Sequence, residues 1–192
     1  MTAGGPEEPA RDGAARASRF GGRAGLVVTV AVGVVLAAGA FLLAREQATE
    51  PPELLGVGAQ APAFSLTSAD GAAVAVPSTA GGPALLVFLE TGCGSCREEA
   101  PVLADLARGG ADVVAVDVSA GSDADRARFA ADDLEGQVPV AADDGRVGAA
   151  YRALVVPTVY ALRADGTIAD AWAGRVDPAR FRQALAAASA PG

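Results

Sequence analysis

Two near-continuous apolar runs, Ala84 to Leu89 and Val113 to Val118, constrain this chain more than any other feature. A strand that is apolar on both of its alternating faces has to be covered on both, so each run predicts a central strand of a sheet flanked by helices. Between the first run and a helical pattern from Arg97 to Arg108 lies Cys93-Gly94-Ser95-Cys96, which holds the only 2 cysteines among 192 residues. The spacing puts Cys93 near the first turn of a helix. Unpaired backbone N–H groups and the positive end of the helix dipole favour a thiolate there, and a lowered thiol pKa makes a usable nucleophile. Cys96, one turn further on, is placed to attack the first sulfur and close a disulfide. The expected chemistry is thiol–disulfide exchange.

Composition removes the competing chemistries. The chain has no histidine, which excludes Ser-His-Asp and Cys-His nucleophiles, histidine-ligated metal and c-type haem attachment, where a histidine would stand at Arg97. Two thiolates alone leave a structural zinc short of ligands, so neither a metal nor any other cofactor is expected. The net charge is −8 and all 15 basic residues are scattered arginines, which argues against nucleic acid as a partner.

Gly25 to Ala44 carries no charge and one weakly polar residue, Thr29. As a helix it would be about 30 Å long, the thickness of a bilayer's hydrocarbon core. Arg11, Arg16, Arg19 and Arg23 precede it, whereas Arg45 alone follows before Arg97, so the N-terminus is expected in the cytoplasm and the rest of the chain outside. A cleaved secretory signal ending near Ala38-Gly39-Ala40 is the alternative, and it leads to the same compartment. Residues 1–24 lack periodicity and read as a disordered tail, and the Pro and Glu content of residues 45–57 reads as a stiff linker.

Beyond the linker, strands at Phe64–Leu66 and Val74–Val76 flank a turn at Asp70-Gly71. Pro101 falls inside the cysteine helix and is expected to bend it, and Gly109-Gly110 ends it. A helix from Asp123, its own N-cap, to Leu134 is expected to expose Asp125, Arg126 and Arg128. A strand at Val138–Ala141 and a short helix through Tyr151 follow. Strands at Thr158–Leu162 and Thr167–Trp172 form a hairpin around Ala164-Asp165-Gly166. Asp177-Pro178 starts a last helix running to about Ala188. Strands alternating with helices in this way predict a mixed α/β sheet.

This order, with Val156-Pro157-Thr158 ahead of the second hairpin, resembles the thioredoxin fold. The segments Gly58 to Phe64, Cys96 to Pro101, Val113 to Asp117 and Asp165 to Ile168 are similar to those of membrane-anchored, extracytoplasmic disulfide reductases of the TlpA and ResA type. The resemblance covers Leu55 to Ala188, with the thioredoxin-like domain at 58–190 following a transmembrane helix at 25–44. It implies that Cys93 attacks and Cys96 resolves, and that Pro157 is a cis proline facing them, with Val156 offering its backbone to an extended substrate. A trans proline at a strand edge is the ordinary alternative. It implies further that Glu99 tunes the thiols and moves protons, where the alternative is a solvated helix charge. Protein thiols or disulfides outside the cytoplasm are the implied substrates, apocytochrome thiols of cytochrome c biogenesis among them. A membrane electron donor or acceptor is the implied partner.

Three positions depart from the family pattern. Gly92 stands where a tryptophan is usual, Val87 stands where thioredoxin has a buried Asp, and Glu90 adds a carboxylate whose charge would oppose a Cys93 thiolate. Three other functions fit less well. A peroxiredoxin-like peroxidase needs a Pro-x-x-x-Thr-x-x-Cys pattern, but Thr91 is one residue too close to Cys93 and position 87 is not proline. A non-catalytic binding module would use the pair as a static disulfide, which constrains little over so short a loop. A copper chaperone would need a histidine.

Overall fold

The computed structural model describes residues 30, 32–39, 53–78 and 80–190. Residues 30 and 32–39 are helical; the rest of the predicted spanning segment at 25–44, the tail at 1–24 and residues 45–52 of the linker lie outside the described residues. Among the described residues no helix is long and apolar enough to cross a membrane.

The unit from Pro51 onward is a thioredoxin-like α/β fold. Strands β1 (Phe64–Thr67) and β2 (Ala73–Val76) pair as a separate antiparallel hairpin. The main sheet holds β3 (Ala84–Leu89), β4 (Asp112–Asp117), β5 (Val140–Ala142), β6 (Thr158–Leu162) and β7 (Ile168–Ala173), in the order β5-β4-β3-β6-β7. β3 runs parallel to β4 and antiparallel to β6, so it is central, and all six of its residues are buried. Helices α1 (Gly94–Arg108), α2 (Asp123–Arg128), α3 (Arg146–Ala150) and α4 (Pro178–Ser189) complete the domain.

The alternation of β3 explains its sequence. Leu85, Val87 and Leu89 point to one side, where Cys96, Ala100 and Leu103 of α1 and Phe181 and Ala184 of α4 meet them. Leu86 and Phe88 point to the other. That second face departs from the expectation of helices on both sides. Val74 and Val76 of the hairpin, together with Tyr151 at the end of the short α3, cover it. Leu54 and Leu55 also pack there, so the apolar contacts of the domain reach back into the linker sequence. A hairpin serves as well as a helix because covering apolar area is what stabilises, at roughly 25 cal/mol per Å2 buried.

Helix ends show where local chemistry was misjudged. The expected helix 123–134 divides into α2 and a π turn at Phe129–Asp133, where Leu134 N–H donates to the Phe129 carbonyl at 3.1 Å. The wider turn lets Phe129 and Leu134 both reach the core. The N-cap is Ser122 rather than Asp123, and Ser122 and Asp125 bond each other's backbone N–H in a capping box. Arg126 is buried rather than exposed, because Asp117 at the end of β4 is fully buried beside it, 3.2 Å away. Asp177 caps α4 with Pro178 behind it, as expected.

Candidate active site

β3 delivers the chain into Glu90-Thr91-Gly92, and α1 begins immediately after Cys93, which is the helix N-cap itself. Its sulfur therefore takes the place of the usual capping oxygen. The Cys96 N–H donates to Cys93 Sγ at 3.2 Å, and the Ser95 hydroxyl lies 3.1 Å from the same sulfur. No acidic residue occupies the first turn to offset the positive end of the helix. Partial burial pushes the Cys93 thiol up, but the Cys96 thiol, the Ser95 hydroxyl and the backbone N–H groups of both outweigh it. They hold Cys93 below the ordinary cysteine value. The Glu90 carboxylate, expected to oppose this, is not among the leading influences on Cys93.

Cys96 differs in burial and in proton affinity. It is buried, while Cys93 is half-buried, and both are free thiols. Burial first, then the hydrogen bond with Cys93 and the charges of Cys93 and Glu99, push Cys96 up to about 12 against a lowering contact with the Glu90 backbone. One thiol is thus ready to ionise near the surface, and its neighbour holds its proton inside.

Glu99 lies one turn beyond Cys96 and is buried at 4% exposure, which rules out a solvated helix charge. Its Oε1 accepts from the Val176 N–H at 2.8 Å, and its Oε2 is buried with no hydrogen-bond partner among the described residues. Burial raises its pKa, opposed by the Val176 bond and the Arg175 charge and assisted by Glu98. Glu98 is the solvated neighbour, pairing with Arg175 at 2.6 Å.

The Val156–Pro157 bond is cis. Val156 packs against the same apolar cluster as Cys93 and Cys96, so the fold brings the proline segment to the cysteine face of the sheet. The Pro157 carbonyl accepts from Gly174 N–H at 2.7 Å, and Thr158 Oγ1 donates to the Val155 carbonyl at 2.6 Å. A second cis bond, Val76–Pro77, was not anticipated.

The AhpC/TSA family model matches residues 57–171, more than half of the chain. This chain belongs to the AhpC/TSA family. It is 32% identical over 132 residues to the thioredoxin-like protein YneN of Bacillus subtilis, covering 67% of this chain and 78% of that protein. It is 30% identical over 151 residues to the thiol:disulfide interchange protein DsbE of Pseudomonas fluorescens, covering 77% of this chain and 85% of the relative. Among solved structures it is similar to a secreted Mycobacterium tuberculosis disulfide oxidoreductase, with a TM-score of 0.55 and 26% identity over 65% of this chain and 95% of that one. Within the AhpC/TSA family this chain is therefore a thioredoxin-like thiol–disulfide oxidoreductase.

Gly92 was singled out in the sequence as a departure from the family pattern, whereas the surroundings of Thr91 escaped sequence reasoning. Gly92 is exposed, with nothing within 4 Å of where a Cβ would stand, and it borders an open polar cleft of about 490 Å3 lined also by Thr91, Arg97, Phe129 and Asp132. Thr91 is buried and faces the turn at Ser119–Gly121: a Cβ on Gly121 would lie 3.2 Å from Thr91 Oγ1 and 3.5 Å from Asp117 Oδ2. The buried Asp117–Arg126 pair braces that turn, with Arg126 also donating to the Gly121 carbonyl at 2.7 Å. An acid ending an otherwise apolar strand is the sequence signal for such a pair, because a buried carboxylate needs a partner.

Proposed function

We propose that this protein is a membrane-tethered, extracytoplasmic disulfide reductase that acts on protein substrates through Cys93 and Cys96. The observation that carries this reading is the asymmetry of the two thiols, one half-buried and lowered, the other buried and raised to about 12. In the first step the Cys93 thiolate attacks a substrate disulfide. A bond forms between Cys93 and one substrate sulfur, the substrate S–S bond breaks, and the departing thiolate takes a proton from water. In the second step Cys96 gives its proton to Glu99 and attacks Cys93 Sγ. The Cys93–Cys96 disulfide forms as the bond between Cys93 and the substrate breaks, and the second substrate sulfur leaves as a thiolate that takes a proton from water, so the substrate gains the two electrons that the enzyme loses. Val156 and Pro157 hold the substrate segment, and Glu99 stores the proton on an oxygen that burial has made receptive.

Support for the reducing direction comes from how the thiolates are stabilised. A strong oxidant owes its power to a stabilised reduced form. Here the leading influences that lower Cys93 are hydrogen bonds from Ser95 and Cys96 rather than a cation, and the environment of Cys96 opposes its thiolate. Support for the tether is the uncharged run Gly25 to Ala44 behind four arginines, and for the compartment the secreted relative and the positive-inside rule. An enzyme so placed takes its electrons from a membrane donor, and protein disulfides, those of apocytochromes included, are its substrate class.

The experiment is a pair of serine variants in the full-length protein. Cys96→Ser should accumulate a mixed disulfide at Cys93, and Cys93→Ser should abolish exchange. Alkylation of Cys93 should proceed below the pH at which free cysteine reacts, while Cys96 should react far more slowly at every pH tested. A more reactive Cys96 would reverse the assignment. A reduction potential well above that of the glutathione pool would make the enzyme an oxidase.

A further inference from the structure

The turn after β7 touches the site at three points. Gly174 N–H donates to the Pro157 carbonyl at 2.7 Å. Val176 N–H donates to Glu99 Oε1 at 2.8 Å. Between them, Arg175 extends over α1 and pairs with Glu98 at 2.6 Å. Two consecutive carboxylates of one helix are thus bound by two consecutive residues of one turn. The same turn holds the proline segment from the other side.

We propose that Gly174–Val176 is a strap joining the substrate-holding Pro157 to the proton-holding Glu99, and that Arg175 is a positioning residue that trims the proton affinity of Glu99. This rests on the reading of Glu99 as the group that takes the proton from Cys96. With Oε1 occupied by Val176, Oε2, which has no partner among the described residues, is the oxygen left to receive it. The step moves one proton from Cys96 Sγ to Glu99 Oε2 and leaves the electron pair on sulfur for attack on Cys93.

Among the described residues, the charges that act on Glu99 are those of Arg175 and Glu98. Cys96 and Glu98 belong to its own helix, Arg175 comes from the strap, and Arg180 of α4 is engaged instead by Asp170 at 2.8 Å and by the ring of Trp172. Arg175 favours the carboxylate and Glu98 disfavours it, so their loss has opposite signs. Both side chains are more than half exposed. Their influence is accordingly modest and weakens as salt is added.

The test uses full-length protein and Ellman's reagent. The first thionitrobenzoate is released when Cys93 forms its mixed disulfide, and the second when Cys96 resolves it, so the second phase reads resolution apart from the first attack. The acid limb of its pH profile should move to higher pH in Arg175→Gln and to lower pH in Glu98→Gln. At a fixed pH on that limb this amounts to about a twofold change in rate in each direction, the size expected of an exposed pair. Arg175→Lys should restore the parent profile, and high salt should shrink both shifts. Glu99→Gln should lose the limb altogether. If Glu99→Gln keeps the parent profile, the reading of Glu99 fails and the strap with it. If Glu99→Gln loses the limb while the Arg175 and Glu98 variants overlay the parent, the strap proposal alone is overturned. Shifts of both variants in the same direction overturn it too, since loosening of the turn, rather than charge, would produce that.

Discussion

The two faces of the central sheet bury polar groups in opposite ways. On the hairpin face, Tyr151 donates to the Pro62 carbonyl at 2.6 Å, and Tyr160 donates to the Tyr151 carbonyl while accepting from Leu55 N–H at 3.3 Å. These hydroxyls sit in an aromatic cluster with Phe64 and Phe88 and are satisfied. On the helical face, Glu99 Oε2 and Trp172 Nε1 are buried without hydrogen-bond partners among the described residues, and Cys96 is held far from its ordinary pKa. An unmet buried polar group costs about 1–3 kcal/mol, more if charged. The hairpin face avoids that cost and serves stability; the helical face, which also carries the two cysteines, bears it.

Truncating the hairpin face should produce the largest effect. Phe88→Ala removes a fully buried ring and should cost about 3–5 kcal/mol in denaturant unfolding. The pH profile of Cys93 alkylation should stay where it is, and a displaced profile would show that the faces are not separable. Tyr151→Phe is gentler. It keeps the ring and loses one hydrogen bond, which should lower stability by about 1 kcal/mol without altering exchange kinetics.

Glu99→Gln should act with the opposite sign. Because burial raises the Glu99 pKa, the folded state binds that proton more tightly than the unfolded state does. Stability then falls as pH rises from the ordinary glutamate range through the raised value. The glutamine variant lacks this loss, so its melting temperature should exceed the parent's at neutral pH and the advantage should vanish in acid. Resolution by Cys96 should slow in the same variant. A glutamine variant less stable than the parent at neutral pH would move Glu99 to the structural side of the comparison.

Gly92→Ala should give the smallest effect, within about 0.5 kcal/mol, because a Cβ there meets nothing. Gly92→Trp should leave stability equally untouched while narrowing the cleft beside Cys93, and it should change the ranking of substrates in a competition assay. Unchanged ranking would separate that cleft from substrate choice.

Much of the site was legible because its signals are local. A Cys-x-x-Cys between an apolar run and a helical pattern fixes where a thiol meets a helix start, and Asp165-Gly166 and Asp177-Pro178 fix a turn and a cap through the backbone preferences of those residues. The orientation of Glu99 was not legible. Glu98 and Glu99 are adjacent and chemically identical, and helical phase leaves open which of them the strap covers. Arg126 was misread for the same reason, since its partner Asp117 belongs to another element.

What the sequence by itself determined is the order of elements, the α/β class and the pair of thiols, all properties of periodicity and of neighbours a few residues apart. The tertiary structure alone decided which thiol is buried, which of two glutamates loses its water, which acid finds Arg126, and that a hairpin covers the second face. Those outcomes depend on desolvation and on contacts between residues distant in the chain. Val176 lies 77 positions from Glu99, and no local pattern brings them together.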